Sequence, residues 1–133
     1  MKHPNALPFG LDEKEINKQL EKRLDDLAEK TEFYLRKKVS LNEIADLLAT
    51  NRTYASRMIN ITKGCKFNAY INDLRLAKAE KLFGDATYMA THKIRELAAD
   101  CGFASVSTFR RAFTQKYKKT PLSYINSNGF KNA

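Results

Sequence analysis

Two arginines occupy matching places in two similar stretches of this chain. Arg57 stands two residues after Ala55, and Arg111 stands two residues after Phe109. The arginine side chain is a planar fork of donors that meets guanine N7 and O6 together, a pairing worth about 1–3 kcal/mol of discrimination between bases. Their neighbours match as well: Ser56 with Arg110, and Thr53 with Ser107. Short hydroxyl side chains suit either bases or phosphates, and Val106 suits a thymine methyl. The plainer alternative for any one exposed arginine is contact with phosphate or water alone. The paired placement favours contact with DNA.

Side chains of this kind need a rigid helix to present them, and the chain supplies one in each copy. The first copy runs Ser40-Leu41-Asn42-Glu43-Ile44-Ala45, then Ala55-Ser56-Arg57-Met58-Ile59; the second runs Ile94-Arg95-Glu96-Leu97-Ala98, then Phe109-Arg110-Arg111-Ala112-Phe113. Each reads as a short amphipathic helix with a small inward Ala, a turn, and a second helix with Arg at its middle. That is the outline of a helix-turn-helix, occurring twice.

The elements follow in order. Residues 1–10 read as a disordered lead. Residues 11–38 read as an N-terminal helix or linker, capped by Asp12, with Glu13 and Glu15 in its first turn. Its apolar residues are Ile16, Leu20, Leu24 and Leu27, then Phe33, Tyr34 and Leu35. The later half, Leu27 to Leu35, is expected to pack on the first helix-turn-helix, and the earlier half to be a linker or a short homodimerising coil. Residues 39–66 form the first helix-turn-helix. Ser40 opens it in a capping box with Glu43, and Gly64 closes its second helix. Residues 67–84 form a connecting helix with Tyr70, Ile71, Leu74, Ala77, Leu82 and Phe83 on its apolar side. The stretch from Gly84 to His92 reads as loop. Residues 93–127 form the second helix-turn-helix and a last helix, started by Thr120-Pro121 and docked by Leu122, Ile125 and Tyr124. Residues 128–133 read as a tail. The predicted fold class is all-α.

Charge points the same way. The chain has 133 residues, a formal net charge of +9 and a pI near 9.6. A balance of this size on a small domain favours polyanions. It is unevenly spread, for Phe103 to Ala133 contains no Asp or Glu. Phosphate-contact candidates are the helix starts near Ser40, Asn51, Ser105 and Thr120, with Lys116, Lys118 and Lys119; Tyr54 either reaches a phosphate through its hydroxyl or simply packs. No run approaches the roughly 18 apolar residues of a membrane span, so no direct membrane contact is expected. Cys65 and Cys101 are too few for a disulfide framework or zinc site and fit a reducing cytoplasm. Cys101 reads as a small core residue. No cofactor, metal ligand set or nucleophile-and-base spacing stands out, so no enzyme is expected.

In their types and spacing these residues resemble an AraC/XylS-type DNA-binding domain. Its first half is matched by Ile44-Ala45, Tyr54-Ala55-Ser56-Arg57-Met58-Ile59-Asn60, Gly64, Phe67, Tyr70-Ile71 and Leu74-Arg75. Its second half is matched by Ile94, Leu97-Ala98, Cys101-Gly102-Phe103, Ser105, Thr108-Phe109, Arg111, Phe113, Pro121 and Tyr124. The wording around Thr50-Asn51-Arg52-Thr53-Tyr54 is most similar to the Bacteroidetes branch, where such domains often end larger sensor proteins. The resemblance implies a sequence-specific bacterial transcription regulator, more commonly an activator, or the C-terminal DNA-binding domain of one. Double-stranded DNA is the implied partner and RNA polymerase a candidate second one. The base-contact residues implied are Arg52, Thr53, Ser56 and Arg57, then Val106, Ser107, Arg110 and Arg111, offered to successive major grooves about 34 Å apart. The chain departs from the family at Ala55, where Leu is usual, at Ala49 and Lys118, where Gly is usual, and at Lys93, which lacks a capping side chain. Two rival classes remain: a protein-interaction module using the Ile16–Leu27 stripe without DNA, and a repair-type enzyme requiring a reactive cysteine.

Overall fold

The computed structural model describes residues 12–128. Every regular element among them is helical, in agreement with the all-α expectation. The helices are α1 (Glu13–Thr31), α2 (Leu41–Leu47), α3 (Arg52–Lys63), α4 (Phe67–Phe83), α5 (Ala86–Thr91), α6 (Ile94–Asp100), α7 (Val106–Tyr117) and α8 (Pro121–Ser127), with one 3₁₀ turn at Phe33–Leu35. The expected lead at 1–10 and all but Asn128 of the expected tail lie outside the described residues. The chain divides into two units, one of residues 12–33 and 38–71, the other of residues 34–37 and 72–128.

In the first unit, Asp12 caps α1 by accepting from the Glu15 N–H at 2.8 Å. Ile16, Asn17, Leu20, Leu24 and Ala28 form its buried face, and α1 packs chiefly against α3. Burying a large aliphatic side chain contributes about 1.5–3 kcal/mol, so this stripe helps hold α3 in place. It is consumed inside its own unit, which corrects the expectation that it was available for a dimerising coil. Asn17 interrupts the apolar face: it is 5% exposed, and its Oδ1 has no hydrogen-bond partner among the described residues. A buried acceptor left unmade costs about 1–3 kcal/mol.

The single helix expected over 11–38 stops at Thr31. Glu32 turns left-handed at φ 48° and its N–H bonds the Ala28 carbonyl at 3.0 Å. Residues 34–37 then join the second unit, where the Arg75 guanidinium holds them. Its Nε donates to the Tyr34 carbonyl and its Nη2 to the Arg36 carbonyl, each at 2.6 Å, while the guanidinium lies 5.6 Å from the Phe103 ring centroid. Burial lowers the Arg75 pKa below the ordinary value of an arginine.

Helix α4 begins in the first unit, with Tyr70 and Ile71 buried, and ends in the second, with Leu76, Ala79 and Phe83 buried. The apolar side expected from the sequence is therefore wrong in its middle. Ala77 is exposed, and Leu74 and Leu82 are only half-buried. A helix that serves two cores in succession has no single stripe.

The second core gathers Leu76, Ala79, Phe83, Leu97, Ala98, Cys101, Phe103, Phe109, Phe113 and Ile125. Its rings are tilted or edge-on, with Phe109 and Phe113 centroids 5.7 Å apart and Phe113 and Tyr124 5.2 Å apart, the arrangement that aromatic quadrupoles favour. Gly84 to His92 is not simply loop. Asp85 accepts from the Tyr88 N–H at 3.0 Å and starts α5, and the Tyr88 hydroxyl donates to Asp100 at 2.6 Å. At the turn before α7, Gly102 has φ 96°, and a Cβ there would sit 2.5 Å from the Tyr34 carbonyl oxygen. Only glycine fits.

Candidate nucleic-acid interface

In the first unit α2 supports α3. The Ser40 Oγ accepts from the Glu43 N–H at 3.1 Å and starts α2; the Asn51 Oδ1 accepts from the Tyr54 N–H at 2.9 Å and starts α3. Between them Ala49 takes the left-handed backbone at φ 58°, a conformation that costs a non-glycine residue about 1–2 kcal/mol. Gly64, at φ 71°, closes α3. Tyr54, Ala55, Met58 and Ile59 are buried, so the 3.6-residue period turns Arg52, Thr53, Ser56, Arg57 and Asn60 outward, and all five are exposed. Ala55 has no exposed surface. The short side chain is fully covered.

Two residues of this helix are settled in part by their surroundings: of the two alternatives for Tyr54, the structure takes packing, and Arg57 has a carboxylate neighbour. Tyr54 is 5% exposed and its hydroxyl is buried without a hydrogen-bond partner among the described residues, so it packs and does not reach phosphate. Arg57 is exposed but already engaged, its guanidinium 3.5 Å from the Glu13 carboxylate of α1. Farther along α3, Lys63 pairs with Asp25 at 2.8 Å and Glu21 at 3.0 Å. Partial burial pulls the Lys63 pKa down, but the hydrogen bonds to Asp25 and Glu21 outweigh it and leave the group above its usual 10.5.

In the second unit α6 supports α7. Lys93 supplies no side-chain cap, as expected; the Glu96 side chain instead accepts from the Lys93 N–H at 2.8 Å. Ser105 starts α7 by accepting from the Thr108 N–H at 3.1 Å. Lys118 closes it in the left-handed region at φ 61°, where its N–H bonds the Thr114 carbonyl at 2.8 Å. Phe109 and Phe113 are buried; Ser107, Arg110 and Arg111 are exposed. Val106 differs from its expected role, since it is half-buried and packs on the second core. The face continues to Thr114, which is exposed one turn beyond Arg110 and Arg111. Its spacing from them was the available signal; in α3 the corresponding Asn60 reads as outward from the sequence and is exposed.

The lysines expected at phosphates are partly occupied. Lys116 pairs with Asp73 at 3.1 Å, Lys118 donates to the Gln115 carbonyl at 2.9 Å, and Lys119 donates to Ser127 at 2.9 Å. A polar hollow of about 600 Å³ opens instead between the starts of α6 and α7, lined by Lys93, Ile94, Arg95, Glu96, Val106 and Arg110. Lys93, Arg95 and Arg110 bring three cations, with the Glu96 carboxylate, around this one hollow, although Lys93 and Arg95 lie far from Arg110 along the chain. Glu80 positions α7 from behind by accepting hydrogen bonds from the Tyr117 hydroxyl, at 2.7 Å, and from the Tyr124 hydroxyl. Cys101 has no exposed surface, and burial pushes its thiol up to about 12. Nucleophilic work near neutral pH needs thiolate.

The domain thus presents two supported helices with polar, cationic outer faces, and the comparisons with known proteins agree with this arrangement. A family model described as a helix-turn-helix domain matches residues 44–127. The chain belongs to the AraC-type helix-turn-helix family. It is a DNA-binding domain of the transcription-regulator class. Regulatory protein PocR of Salmonella typhimurium is 29% identical over 98 residues, which cover 71% of this chain and 31% of PocR. The chain thus spans under a third of that relative. The C-terminal domain of the two-component response regulator yesN from Fusobacterium nucleatum superposes with a TM-score of 0.65 at 26% identity, covering 79% of this chain and 96% of that one. The DNA-binding domain of AdpA, solved in complex with a target DNA, has the same fold with a TM-score of 0.63 at 19% identity, covering 79% and 91%.

Proposed function

We propose that α3 and α7 are the recognition helices of this domain and that each enters a major groove of double-stranded DNA. Arg52, Thr53, Ser56 and Arg57 would face bases from α3, with Asn60 extending that face. Ser107, Arg110 and Arg111 would do so from α7, with Thr114 extending it. Val106 is left its methyl edge at most, since it also serves the core. The observation that carries this reading is the repetition of one arrangement: a buried apolar face and, opposite it, an exposed run of short hydroxyls and arginines at equivalent positions. Lys93, Arg95 and Arg110 would hold a phosphate beside α7.

The experiment is selection of binding sites from random duplexes, followed by footprinting of Arg57→Ala and Arg111→Ala. Each change is expected to cost about 1–3 kcal/mol at its preferred base, roughly five- to 150-fold, and to relax selectivity at a different half of one site. Direct readout is wrong if both variants select the same sequence as the parent.

The domain would act in the bacterial cytoplasm as the DNA-binding part of a longer regulator, a reading supported by the greater length of PocR. Activation through RNA polymerase rests on the family resemblance. The rival interaction module loses support because Ile16, Leu20 and Leu24 are buried in their own unit, and any homodimer would need another surface. The enzyme reading finds no reactive thiol in Cys101.

A further inference from the structure

Beside the first recognition helix lies an open groove of about 540 Å³ between α1 and α3. That volume falls in the range of roughly 300–1,000 Å³ usual for small-molecule sites. Lys14, Asn17 and Lys18 line it from α1, and Ile61 and Thr62 from α3. Its charges are not equally available. The carboxylates at its edge are already matched, Glu13 by Arg57 and Glu21 by Lys63. Lys14 and Lys18, one helical turn apart, have no carboxylate partner among the described residues. The uncommitted charge is positive.

Two further features turn the groove from a charged surface into a site. Asn17 is 95% buried by its 5% exposure, and its Oδ1 has no hydrogen-bond partner among the described residues. An apolar residue would pack that face of α1 more cheaply, as Ile16, Leu20 and Leu24 do. Ile61, by contrast, is 64% exposed, an aliphatic side chain held in water at the wall of the same groove. Cations at the rim, an amide with spare hydrogen-bonding capacity and an apolar wall together define one ligand chemistry.

We propose that this groove binds a small amphipathic carboxylic acid that carries an amide. The carboxylate pairs with Lys14 and Lys18, the ligand's amide bonds the Asn17 side chain, and its aliphatic body covers Ile61. Binding does not depend on how the domain reads DNA. Its interest is that α3 forms one wall and that Glu13, at the edge, is the carboxylate holding Arg57.

The test titrates N-acetylleucine into the full chain, following the Ile61 methyl and Asn17 side-chain amide resonances by NMR. Two controls each remove one group: N-acetylleucinamide lacks the acid, and 4-methylpentanoate lacks the amide. The expected result is saturable shifts centred on Ile61 and Asn17, with N-acetylleucine at least tenfold tighter than either control. Lys14→Gln with Lys18→Gln, both exposed and outside the core, should erase the preference for acid over carboxamide. Asn17→Leu, close to it in size, should erase the preference over 4-methylpentanoate. Equal binding of all three compounds by the parent, or shifts no larger at Ile61 than elsewhere, would overturn the proposal. So would preferences that survive these substitutions. A chain that binds N-acetylleucine but selects no DNA sequence would leave this site standing and sink the readout proposed for α3.

Discussion

Arg57 has two competing partners, the Glu13 carboxylate it holds at 3.5 Å and the base or phosphate proposed for it. An exposed ion pair contributes only about 0.2–1 kcal/mol, so Glu13 tempers Arg57 without silencing it. Glu13→Gln is therefore expected to raise DNA affinity roughly two- to fivefold, measured by fluorescence anisotropy. A general loss of negative charge would also raise affinity, and a double-mutant cycle separates the two causes. If the pair is responsible, Glu13→Gln changes affinity much less in an Arg57→Ala background; an equal gain in both backgrounds refutes it. The two left-handed glycines make a second contrast. A Cβ on Gly64 meets nothing within 4 Å, whereas one on Gly102 strikes the Tyr34 carbonyl oxygen and Arg75. Gly64→Ala is expected to cost about 1 kcal/mol, for backbone strain alone. Gly102→Ala should cost roughly 2–4 kcal/mol, for strain plus overpacking. Urea denaturation of the two variants checks the difference.

At the scale of the element, α7 is aimed by what lies behind it. Glu80 on α4 receives hydroxyls from Tyr117 at the end of α7 and Tyr124 on α8. Burial, then the hydrogen bond to Glu80, raises the Tyr117 pKa; the Glu80 hydrogen bond, then burial, raises that of Tyr124. The folded state thus holds both phenolic protons more tightly than the unfolded chain, whose tyrosines titrate near 10.0. Their contribution to stability is full below pH 10 and is lost as pH rises through the elevated folded values. Glu80→Gln should be less stable at pH 7 by about 1–2 kcal/mol and show a shallower decline above pH 10, as measured by urea denaturation across that range. Equal alkaline slopes would show that the clamp does not set these titrations. The clamp was only partly legible in the sequence, where Tyr124 read as a docking residue of the last helix and Glu80 carried no sign of its role. Helices α3 and α7 could be read because local rules made them: a capping residue, a 3.6-residue period and a C-terminal turn. The end of α1 and the buried face of α4 could not, because they depend on contacts distant in sequence. Arg75 captures the Tyr34 and Arg36 carbonyls from 41 and 39 residues away, and α4 changes core midway.

For the whole molecule, a net charge of +9 predicts binding that salt weakens, but the structure distributes that charge between spent and available groups. Arg57, Lys63 and Lys116 already face carboxylates. Arg110 and Arg111 are exposed, lie in a stretch without acids, and have no carboxylate partner among the described residues. If six to ten phosphates are neutralised, affinity should fall about 10³- to 10⁵-fold between 50 and 200 mM salt. The slope of log affinity against log salt then counts the cations that matter. Arg110→Gln should reduce its magnitude by about 1, since Arg110 also lines the hollow with Lys93 and Arg95. Lys116→Gln should reduce it by clearly less, because DNA must first draw Lys116 from Asp73. Equal reductions would mean that Asp73 yields Lys116 at no cost, and that solvent screens the surface ion pairs to insignificance. A parent slope near zero would mean that the charge does not meet phosphate at all.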